Sequence, residues 1–397
     1  MNQLAFFILL VISFVWTIGF GQNGSKAYRD AEDFLYSGKY KDALAAYSYA
    51  SDHPTFEYKT TICKFMLGRD GVTLDTYQEF ESAMTHSPVY YFWLGKFFLK
   101  DAEYEKAKDA FHEFLSLSPN HHEADRLKAQ VSFLVGYLDE YKDTLAIERL
   151  PAPINTNFPE PASVTIGNGT QLFASQRITK GVYSLYKTHY GTEDKLDVKQ
   201  YLGMTFDADQ PISLIPGFGN EVFVYDPKSA ALQPLILNAD DISKGQPIAP
   251  GHLQNVRHCY ISQNKTKVIF SKQTEANGLD LFETIYLRTS QRWTDPVPLL
   301  GKVNTPYDED FPYIGDDRGT LYFSSNRPGG LGKMDVYYSK VDKSTYQWKE
   351  GVNAGLPINT IDDEIDFKVF AGGKGSFCSD RNREVGNFDV FSFHTKP

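Results

Sequence analysis

Residues Leu321–Ser339, with the sequence LYFSSNRPGGLGKMDVYYS, contain two runs in which apolar residues alternate with other residues, separated by a glycine-rich segment. Alternation at every second position predicts β-strands with one buried face. The intervening NRPGG, residues 326–330, is rich in turn-forming residues, and its glycines allow the positive φ that a tight turn requires. The segment is therefore predicted to form a β-hairpin whose second strand begins at Asp335.

The hairpin motif recurs near the C-terminus as GSFCSDRNREVGNFDVFSF, residues Gly375–Phe393. Asp335 and Asp389 are 54 positions apart in the two copies. We predict that each of these aspartates accepts backbone N–H groups in the turn before its strand, because a buried donor without a partner is costly. The positions predicted to have a structural role in the motif are Asn326, Arg327, Gly329, Gly330, Asp335, Asp380, Arg381 and Asp389.

Weaker copies of the motif lie upstream, as QLFASQR from Gln171, EVFVYD from Glu221 and VIFSKQTEANGLDLFE from Val268. The intervals between equivalent aromatic residues are 50, 47, 53 and 54 positions. A unit of this length accommodates a four-stranded sheet and is typical of a propeller blade. The C-terminal part is therefore predicted to be an all-β propeller of five blades, with six as the alternative. The equivalent aromatic residues are Phe173, Phe223, Phe270, Phe323 and Phe377.

A second repeated string indicates how the ring of blades closes. An aliphatic residue followed by Asn-Thr occurs at 154–156, 303–305 and 358–360, each time before a blade. The last blade ends after its third strand, whereas a complete unit continues into an outer strand such as the one predicted near residues 346–349. We predict that residues 144–150 supply the missing strand, which leaves no exposed sheet edge.

These strings resemble the WD-like β-propeller repeats of TolB-type periplasmic propellers and of OmpA-family envelope proteins. The resemblance is strongest in the two C-terminal copies. In the first two copies only the aromatic residues and the repeat length are retained. The resemblance implies a propeller in a protein of the Gram-negative cell envelope.

The segment upstream of the propeller has a helical repeat. In YFWLGKFFLKDAEYEKAKDAFHEFLSLSP, which begins at Tyr91, large residues and the small Gly95 and Ala107 lie at tetratricopeptide spacings. We predict that the two small residues let paired helices approach closely. The segment resembles three tetratricopeptide (TPR) repeats between Ser25 and Pro119, followed by a capping helix from residue 122 to about residue 141. The predicted domains are a signal peptide, 1–21, an all-α TPR-like domain, 22–143, and the propeller, 144–397.

The N-terminus predicts export. Leu4–Phe20 is an apolar run, and Gly19 and Gly21 are the small residues that signal peptidase prefers before its cleavage site. We predict that the mature protein begins at Gln22 and is periplasmic. The apolar run is preceded by no Lys or Arg, so an uncleaved membrane anchor is the alternative. Outside this run no apolar stretch approaches the length of a membrane span.

Composition excludes one large class of partner. The chain has 40 basic and 50 acidic residues and a net charge of −10, which argues against a protein that binds nucleic acid through phosphates. Cys63, Cys259 and Cys378 are far apart, and two of them lie in apolar strand patterns. We predict buried free thiols, and a disulfide or a metal site is the alternative.

No catalytic signature is present in the sequence, and no cofactor is predicted. Motifs of the types G-x-S-x-G, H-E-x-x-H, Walker A, EF-hand and C-x-x-C are absent. Acidic clusters at 308–310 and 362–366 could hold Ca²⁺, but the interpretation that we favour is structural: the carboxylates bond the backbone and Arg327 or Arg381 of the same blade. His258, in an apolar strand, is predicted to be a hydrogen-bonded core histidine.

The TPR resemblance implies a concave face for a protein ligand, on which aromatic and charged residues are expected. TPR repeats followed by this propeller resemble the N-terminal half of type IX secretion envelope proteins. We therefore predict a non-enzymatic, outer-membrane-associated scaffold that binds cell-envelope or secretion-system proteins. The alternative is a soluble hydrolase or glycan-binding propeller that uses polar residues at its central funnel. The OmpA-like module of those proteins has no counterpart before Pro397, so direct peptidoglycan binding is not expected. The residues predicted to bind a partner are Tyr28, Glu32, Phe65, Phe92, Lys96, Lys100 and Arg126.

Overall fold

A computed structural model describes residues 22–396, apart from residues 52, 54, 69–71, 85, 119–121, 143, 167–168, 190–198, 211, 239–240, 251–252, 276–277, 371 and 382–386. The predicted signal peptide therefore lies outside the described residues. The chain divides into two compact units, one reaching Asp139 and one beginning at Glu140. No helix among the described residues is long and apolar enough to cross a membrane.

The first unit is helical, as predicted. Its described residues form three helix pairs followed by one longer helix, and the second helix of the middle pair is broken into two short ones. The helices are α1 (Gln22–Tyr36), α2 (Tyr40–Tyr47), α3 (Phe56–Met66), α4 (Leu74–Gln78), α5 (Glu81–Met84), α6 (Pro88–Lys100), α7 (Tyr104–Leu117) and α8 (His122–Glu140).

A small residue lets α6 and α7 pack closely. A Cβ atom on Gly95 would lie only 2.4 Å from Cε1 of Phe111, so the aromatic ring of α7 rests directly on the α6 backbone. Ala107 and Phe111 are fully buried in this contact. The predicted role of Gly95 and Ala107 in the close approach of paired helices is confirmed.

The second unit is a propeller of five antiparallel sheets, which confirms the predicted blade count. All five motif phenylalanines are buried, because they fill the spaces between blades. The first blade consists of β2 (Ser163–Thr165), β3 (Thr170–Ser175), β4 (Val182–His189) and β5 (Lys199–Asp207), and the second of β6 (Leu214–Pro216), β7 (Glu221–Asp226), β8 (Ala231–Leu237) and β9 (Ile242–Lys244). The third consists of β10 (Val256–Ile261), β11 (Lys267–Gln273), β12 (Leu279–Leu287), β13 (Arg292–Trp293) and β14 (Val297–Pro298). The fourth consists of β15 (Glu309–Ile314), β16 (Thr320–Ser325), β17 (Asp335–Lys340) and β18 (Val352–Asn353).

The fifth blade closes the ring in the predicted way. It consists of β19 (Glu364–Phe370), β20 (Lys374–Ser379), β21 (Asp389–Thr395) and the upstream strand β1 (Leu145–Arg149). Strand β1 pairs antiparallel with β21 along its whole length, from Leu145 opposite Thr395 to Arg149 opposite Phe391. The blade therefore joins the two ends of the propeller sequence through a ladder of backbone hydrogen bonds.

The outer strand of the fourth blade was placed too early by the sequence pattern. It is Val352–Asn353, not residues 346–349. Tyr346 has a φ of 59° and belongs to a turn, in which its N–H donates to the carbonyl of Asp342. Trp348 makes isolated bridges to Val341 and Gly301. The aromatic residues Tyr346 and Trp348 gave this turn the sequence pattern of a strand, whereas the observed strand is only two residues long.

Candidate functional site

The repeated Asn-Thr string joins neighbouring blades. Asn359, fully buried, accepts from the N–H of Val336 at 2.7 Å and donates to the carbonyl of the same residue at 2.8 Å. The amide side chain thus replaces a strand partner for the third strand of the preceding blade. Sequence analysis used this string only as a repeat marker and missed this role. The same pair of bonds joins Asn304 to Leu281 and Asn155 to Val390.

A buried glutamate follows each of these strings and collects donors from its own blade. Glu364 accepts from the N–H and hydroxyl of Thr360 at 2.8 and 2.7 Å, from Ser379 at 2.8 Å and from Nη2 of Arg381 at 3.1 Å. Burial raises the pKa of Glu364 to about 8, while Arg381 acts in the opposite direction. Arg381 also lies over the ring of Phe377. Equivalent sets are Thr305, Glu309, Ser325 and Arg327 in the fourth blade, and Thr156, Glu160, Ser175 and Arg177 in the first.

The motif aspartates have the predicted structural surroundings. Asp335 is fully buried and accepts from the N–H groups of Leu331 and Gly332, the latter at 3.0 Å, and from Asn353 at 3.0 Å. The predicted bonds to the preceding turn are therefore confirmed for Asp335. A Cβ on Gly330 would lie 2.1 Å from this carboxylate, which explains the glycine there.

The other motif positions also bond within the blades. Asp389 accepts both Nε and Nη2 of Arg149, at 2.7 and 2.9 Å, and the turn before it lies outside the described residues. Asp380 accepts from the N–H of Asp363 at 2.9 Å. Asn326 exchanges two hydrogen bonds with Asp308, and Gly329 has a φ of 92°. In the acidic clusters, Glu309 and Glu364 bond the backbone and Arg327 or Arg381 of their own blade, as in the structural interpretation. Four of the aspartates also bond a neighbouring blade, which that interpretation did not include: Asp308 accepts from Leu279, Asp310 bonds His258, Asp363 accepts from Met334 and Asp366 accepts from Ser163. Among the described residues no group of three or more His, Cys, Asp or Glu side chains could hold a metal ion.

The predicted partner-binding residues fall into two groups in the helical unit. Phe65, Phe92 and Lys96 are buried, and Phe65 stacks on Phe97 with ring centroids 3.6 Å apart. Tyr28, Glu32 and Lys100 are half-buried. Arg126 lies in α8, but its side chain is outside the described residues. The helix α6 is hydrophobic around almost its whole circumference, which removes the open face that the repeat pattern predicts. Partner binding by these residues stays a prediction.

Tyr28 and Glu32 belong to a polar cluster between the first helices. Lys59 is buried and lies 3.0 Å from Oε1 of Glu32, which also accepts from the hydroxyl of Tyr47. The ring of Tyr28 stacks on His53 at 3.8 Å between centroids, and burial raises the pKa of Tyr28 to about 12. Because Lys59 and Glu32 are paired, their burial between these helices is tolerated.

A small cavity of about 20 Å³ lies near the propeller axis. His258 is buried there, with Nδ1 2.9 Å from Oδ1 of Asp310 and its ring stacked on Phe311 at 3.7 Å between centroids, so the predicted core role of His258 is confirmed. Asp366, opposite, pairs with Lys368 and accepts from the N–H of Ser163. The cavity has room for about one water molecule.

A much larger cleft opens beside this cavity at one mouth of the propeller. Its volume is about 1030 Å³, and it is contributed mainly by the third and fourth blades. Tyr260 and Tyr313 line both the cavity and the cleft and contact each other edge to face at 5.6 Å between ring centroids. We call this site the funnel cleft. Its side chains include Tyr260, Gln263, Asn264, Lys267, Tyr313, Asp316, Arg318, Trp348, Phe370 and Lys374.

Sequence analysis considered the central funnel only as the site of the alternative function and did not identify the residues of the funnel cleft. Its residues come from turns and strand ends of all five blades, so no single segment carries a motif for it. The one signal in the sequence was the polar turn between the first two strands of the third and fourth blades, at Gln263-Asn264 and Asp316–Arg318.

All three cysteines are buried and free, as predicted. Burial raises the pKa of Cys63 and of Cys259 to about 12. These thiols do not belong to the funnel cleft.

No protein-family model and no curated protein sequence matches the chain. Similar solved structures include the type III secretion chaperone SycD of Yersinia enterocolitica, in complex with a peptide of the translocator YopD; the identity is 18% over 30% of this chain and 95% of that chain, with a TM-score of 0.24. TolB from Acinetobacter baumannii matches with 13% identity over 66% of this chain and 54% of its own, with a TM-score of 0.32. An α-L-arabinofuranosidase from Lactobacillus brevis matches with 10% identity over 62% of this chain and 92% of its own, with a TM-score of 0.40. The chain combines a TPR-like helical region with a five-bladed β-propeller.

Proposed function

We propose that the protein is a non-enzymatic periplasmic scaffold that binds other cell-envelope proteins as an outer-membrane-associated component of type IX secretion. The order of its modules supports this proposal, because TPR repeats followed by a WD-like propeller resemble the N-terminal half of such envelope proteins. Helical repeats and propellers are both architectures that commonly bind other proteins.

The observation that carries the proposal is the chemistry of the funnel cleft. Among the described residues that line it, Asp316 is the one carboxylate, and no histidine is present. Glycoside hydrolysis generally requires a pair of carboxylates, and other hydrolyses require a positioned acid or base. The cleft instead offers aromatic rings, amides and cations, which are groups that bind a ligand.

The titratable side chains near the propeller axis also give no support for an enzymatic function. His258 and Asp310 are bonded to each other, and Asp366 is bonded to Lys368. Their cavity of about 20 Å³ is far below the several hundred Å³ typical of a substrate pocket. A structural role near the propeller axis therefore explains these groups better than a catalytic role does.

Crosslinking in intact cells tests the proposal. A C-terminally tagged chain should be recovered from the periplasm with Gln22 as its first residue, crosslinked to a small, reproducible set of envelope proteins. Purified protein should show no hydrolysis of peptidoglycan fragments or envelope glycans. Reproducible hydrolysis, or recovery of the chain without any crosslinked protein, would overturn the scaffold proposal.

A further inference from the structure

The funnel cleft has a charge opposite to that of the whole chain. Lys267, Arg318 and Lys374 line it against the single carboxylate of Asp316, whereas the chain has a net charge of −10. Lys267 is neutralised in part by Glu283, at 2.8 Å. The guanidinium of Arg318 has one hydrogen bond, at 3.3 Å to Gln263, and the side chain of Lys374 has no hydrogen-bond or ion-pair partner among the described residues. Two cations of the cleft are therefore available to an anionic ligand.

The rim of the cleft exposes large apolar side chains. Phe218 is 81% exposed between Gly217 and Gly219, both of which line the cleft. Tyr346 is 83% exposed two residues before Trp348, which lines the cleft from the fourth blade. Exposed aromatic residues beside a concave site are unfavourable in water, and they commonly mark a surface that another molecule covers.

The size of the cleft exceeds what one small metabolite needs. About 1030 Å³ is at the upper limit of small-molecule pockets. Its lining continues from Tyr260 at the axis to Val341 and Trp348 beside the last strands of the fourth blade. The cleft therefore extends outwards from the propeller axis and is not only a central hole. A chain-like ligand fits such a shape.

We propose that the funnel cleft binds an extended, acidic polypeptide segment of a partner protein. Its carboxylates would pair with Arg318 and Lys374, and its apolar side chains would cover Phe218 and Trp348. Exposed aromatic residues at the rim and cations in the cleft suit a peptide with both apolar and acidic side chains, and binding of an acidic glycan instead is an outcome of the binding test. The inference rests on the proposed scaffold function and assigns it a site and a class of ligand.

The binding test uses the full chain and a synthetic capped peptide in which glutamate and leucine alternate between glycine spacers. Titration should change the tryptophan fluorescence, and Trp348→Phe should abolish that change because Trp348 lines the cleft. Binding should weaken with added salt, since it depends on charge. The matched peptide with lysine in place of glutamate should not bind.

Charge reversal identifies the site. The double variant Arg318→Glu with Lys374→Glu should weaken peptide binding by about tenfold or more, because opposite charges are replaced by like charges. The matched control Lys180→Glu with Lys228→Glu makes the same change in net charge at exposed lysines that do not line the cleft. The control should bind as the unmodified protein does. All four side chains are exposed, so circular dichroism should show an unchanged fold for both variants.

Failure of this inference can be distinguished from failure of the scaffold function. Equal peptide affinity in both double variants, or binding of oligogalacturonate but not of the peptide, overturns the inference. If cell crosslinks to envelope proteins persist in the cleft variant, the scaffold function stands and its site is elsewhere. If the unmodified protein forms no crosslinks and hydrolyses a glycan, the scaffold function itself is wrong.

Discussion

Carboxylates of the propeller repeat are surrounded by hydrogen-bond donors. Glu364 has donors from a backbone N–H, two hydroxyls and a guanidinium, and Asp335 has two backbone donors and an amide. A buried polar group is tolerated only when it has such partners. Acidic residues that could suggest a metal or an enzyme are thus explained by the need to hold turns and blades together.

Asp335→Ala tests this role at one residue. The change leaves the buried N–H of Leu331 and the partly buried N–H of Gly332 without their acceptor, so the free energy of unfolding should fall by about 1–3 kcal/mol. Urea unfolding followed by fluorescence measures it. Asp209→Ala, at an exposed position, should change stability by less than about 0.5 kcal/mol. Equal stability of the two variants would contradict a structural role for Asp335.

Glu364 should also give the protein a characteristic pH dependence. Burial raises its pKa from 4.5 to about 8, so the folded state holds this proton more tightly than the unfolded chain does. The stabilising contribution is therefore complete below the unfolded pKa and is lost as the pH rises through the folded pKa. Glu364→Gln cannot titrate, so its stability should decline less than that of the unmodified protein between about pH 5 and pH 8.

The measurement is urea unfolding of both proteins at a series of pH values. Glu148→Gln, at an exposed position of β1, is the matched control and should follow the unmodified protein. Parallel curves for Glu364→Gln and the unmodified protein would mean that Glu364 is ionised throughout this range, with Arg381 outweighing burial.

At the scale of elements, two contacts decide the architecture: the crossing of α6 over α7, and the pairing of β1 with β21. Both were predictable from the sequence, because a glycine at a TPR position and an incomplete last blade are strong local signals. The outer strand of the fourth blade was not, since a two-residue strand is defined by its partner Tyr337-Tyr338 rather than by its own pattern.

Alanine substitutions at two glycines, one at the contact between α6 and α7 and one at an open position of α8, test this helix packing. Gly95→Ala places a methyl group within 2.4 Å of the Phe111 ring and should destabilise the helical unit by about 1–3 kcal/mol. Gly136→Ala, in α8, meets nothing within 4 Å and should stabilise by up to about 1 kcal/mol through helix propensity. Thermal unfolding followed by circular dichroism at a helix wavelength distinguishes them. Changes of the same sign in both variants would contradict the packing argument.

An ion pair at the end of β1 adds to the backbone ladder that holds the closing strand. Arg149 is the bidentate partner of Asp389, whose side chain is almost fully buried. At the equivalent place in the fourth blade, Asn353 donates to Asp335. Arg149→Ala removes two donors from the buried carboxylate of Asp389 and should lower propeller stability by about 1–3 kcal/mol, the typical cost of an unsatisfied buried group. The neighbour Glu148→Ala should have little effect, and hydrogen exchange in β1 should increase only in the Arg149 variant.

At the scale of the whole molecule, the fold was more predictable than the site. Repeats reveal blades and helix pairs because every copy obeys the same packing rules. The funnel cleft has no repeat, since each blade contributes different residues, such as Trp348 from one and Lys374 from another. The concave helical face was predicted to be open because the TPR register shows which side of a helix a residue is on, but not whether other residues cover that side. Phe92 is in fact buried.

The three cysteines allow both units to be followed in one protein. Cys63 is buried in the helical unit, and Cys259 and Cys378 are buried in the propeller. Burial raises the pKa of Cys63 and Cys259 to about 12, so little reactive thiolate exists in the folded protein at neutral pH. We expect no reaction with a thiol reagent in native buffer and reaction of all three thiols in denaturant without any reductant.

Variants that keep the cysteines of one unit follow the unfolding of that unit. In Cys63→Ala, thiol labelling should measure the unfolding of the propeller alone. In the double variant Cys259→Ala with Cys378→Ala, it should measure the unfolding of the helical unit alone. Rapid labelling of the native protein would contradict the burial, and fewer than three reactive thiols after unfolding would indicate a disulfide.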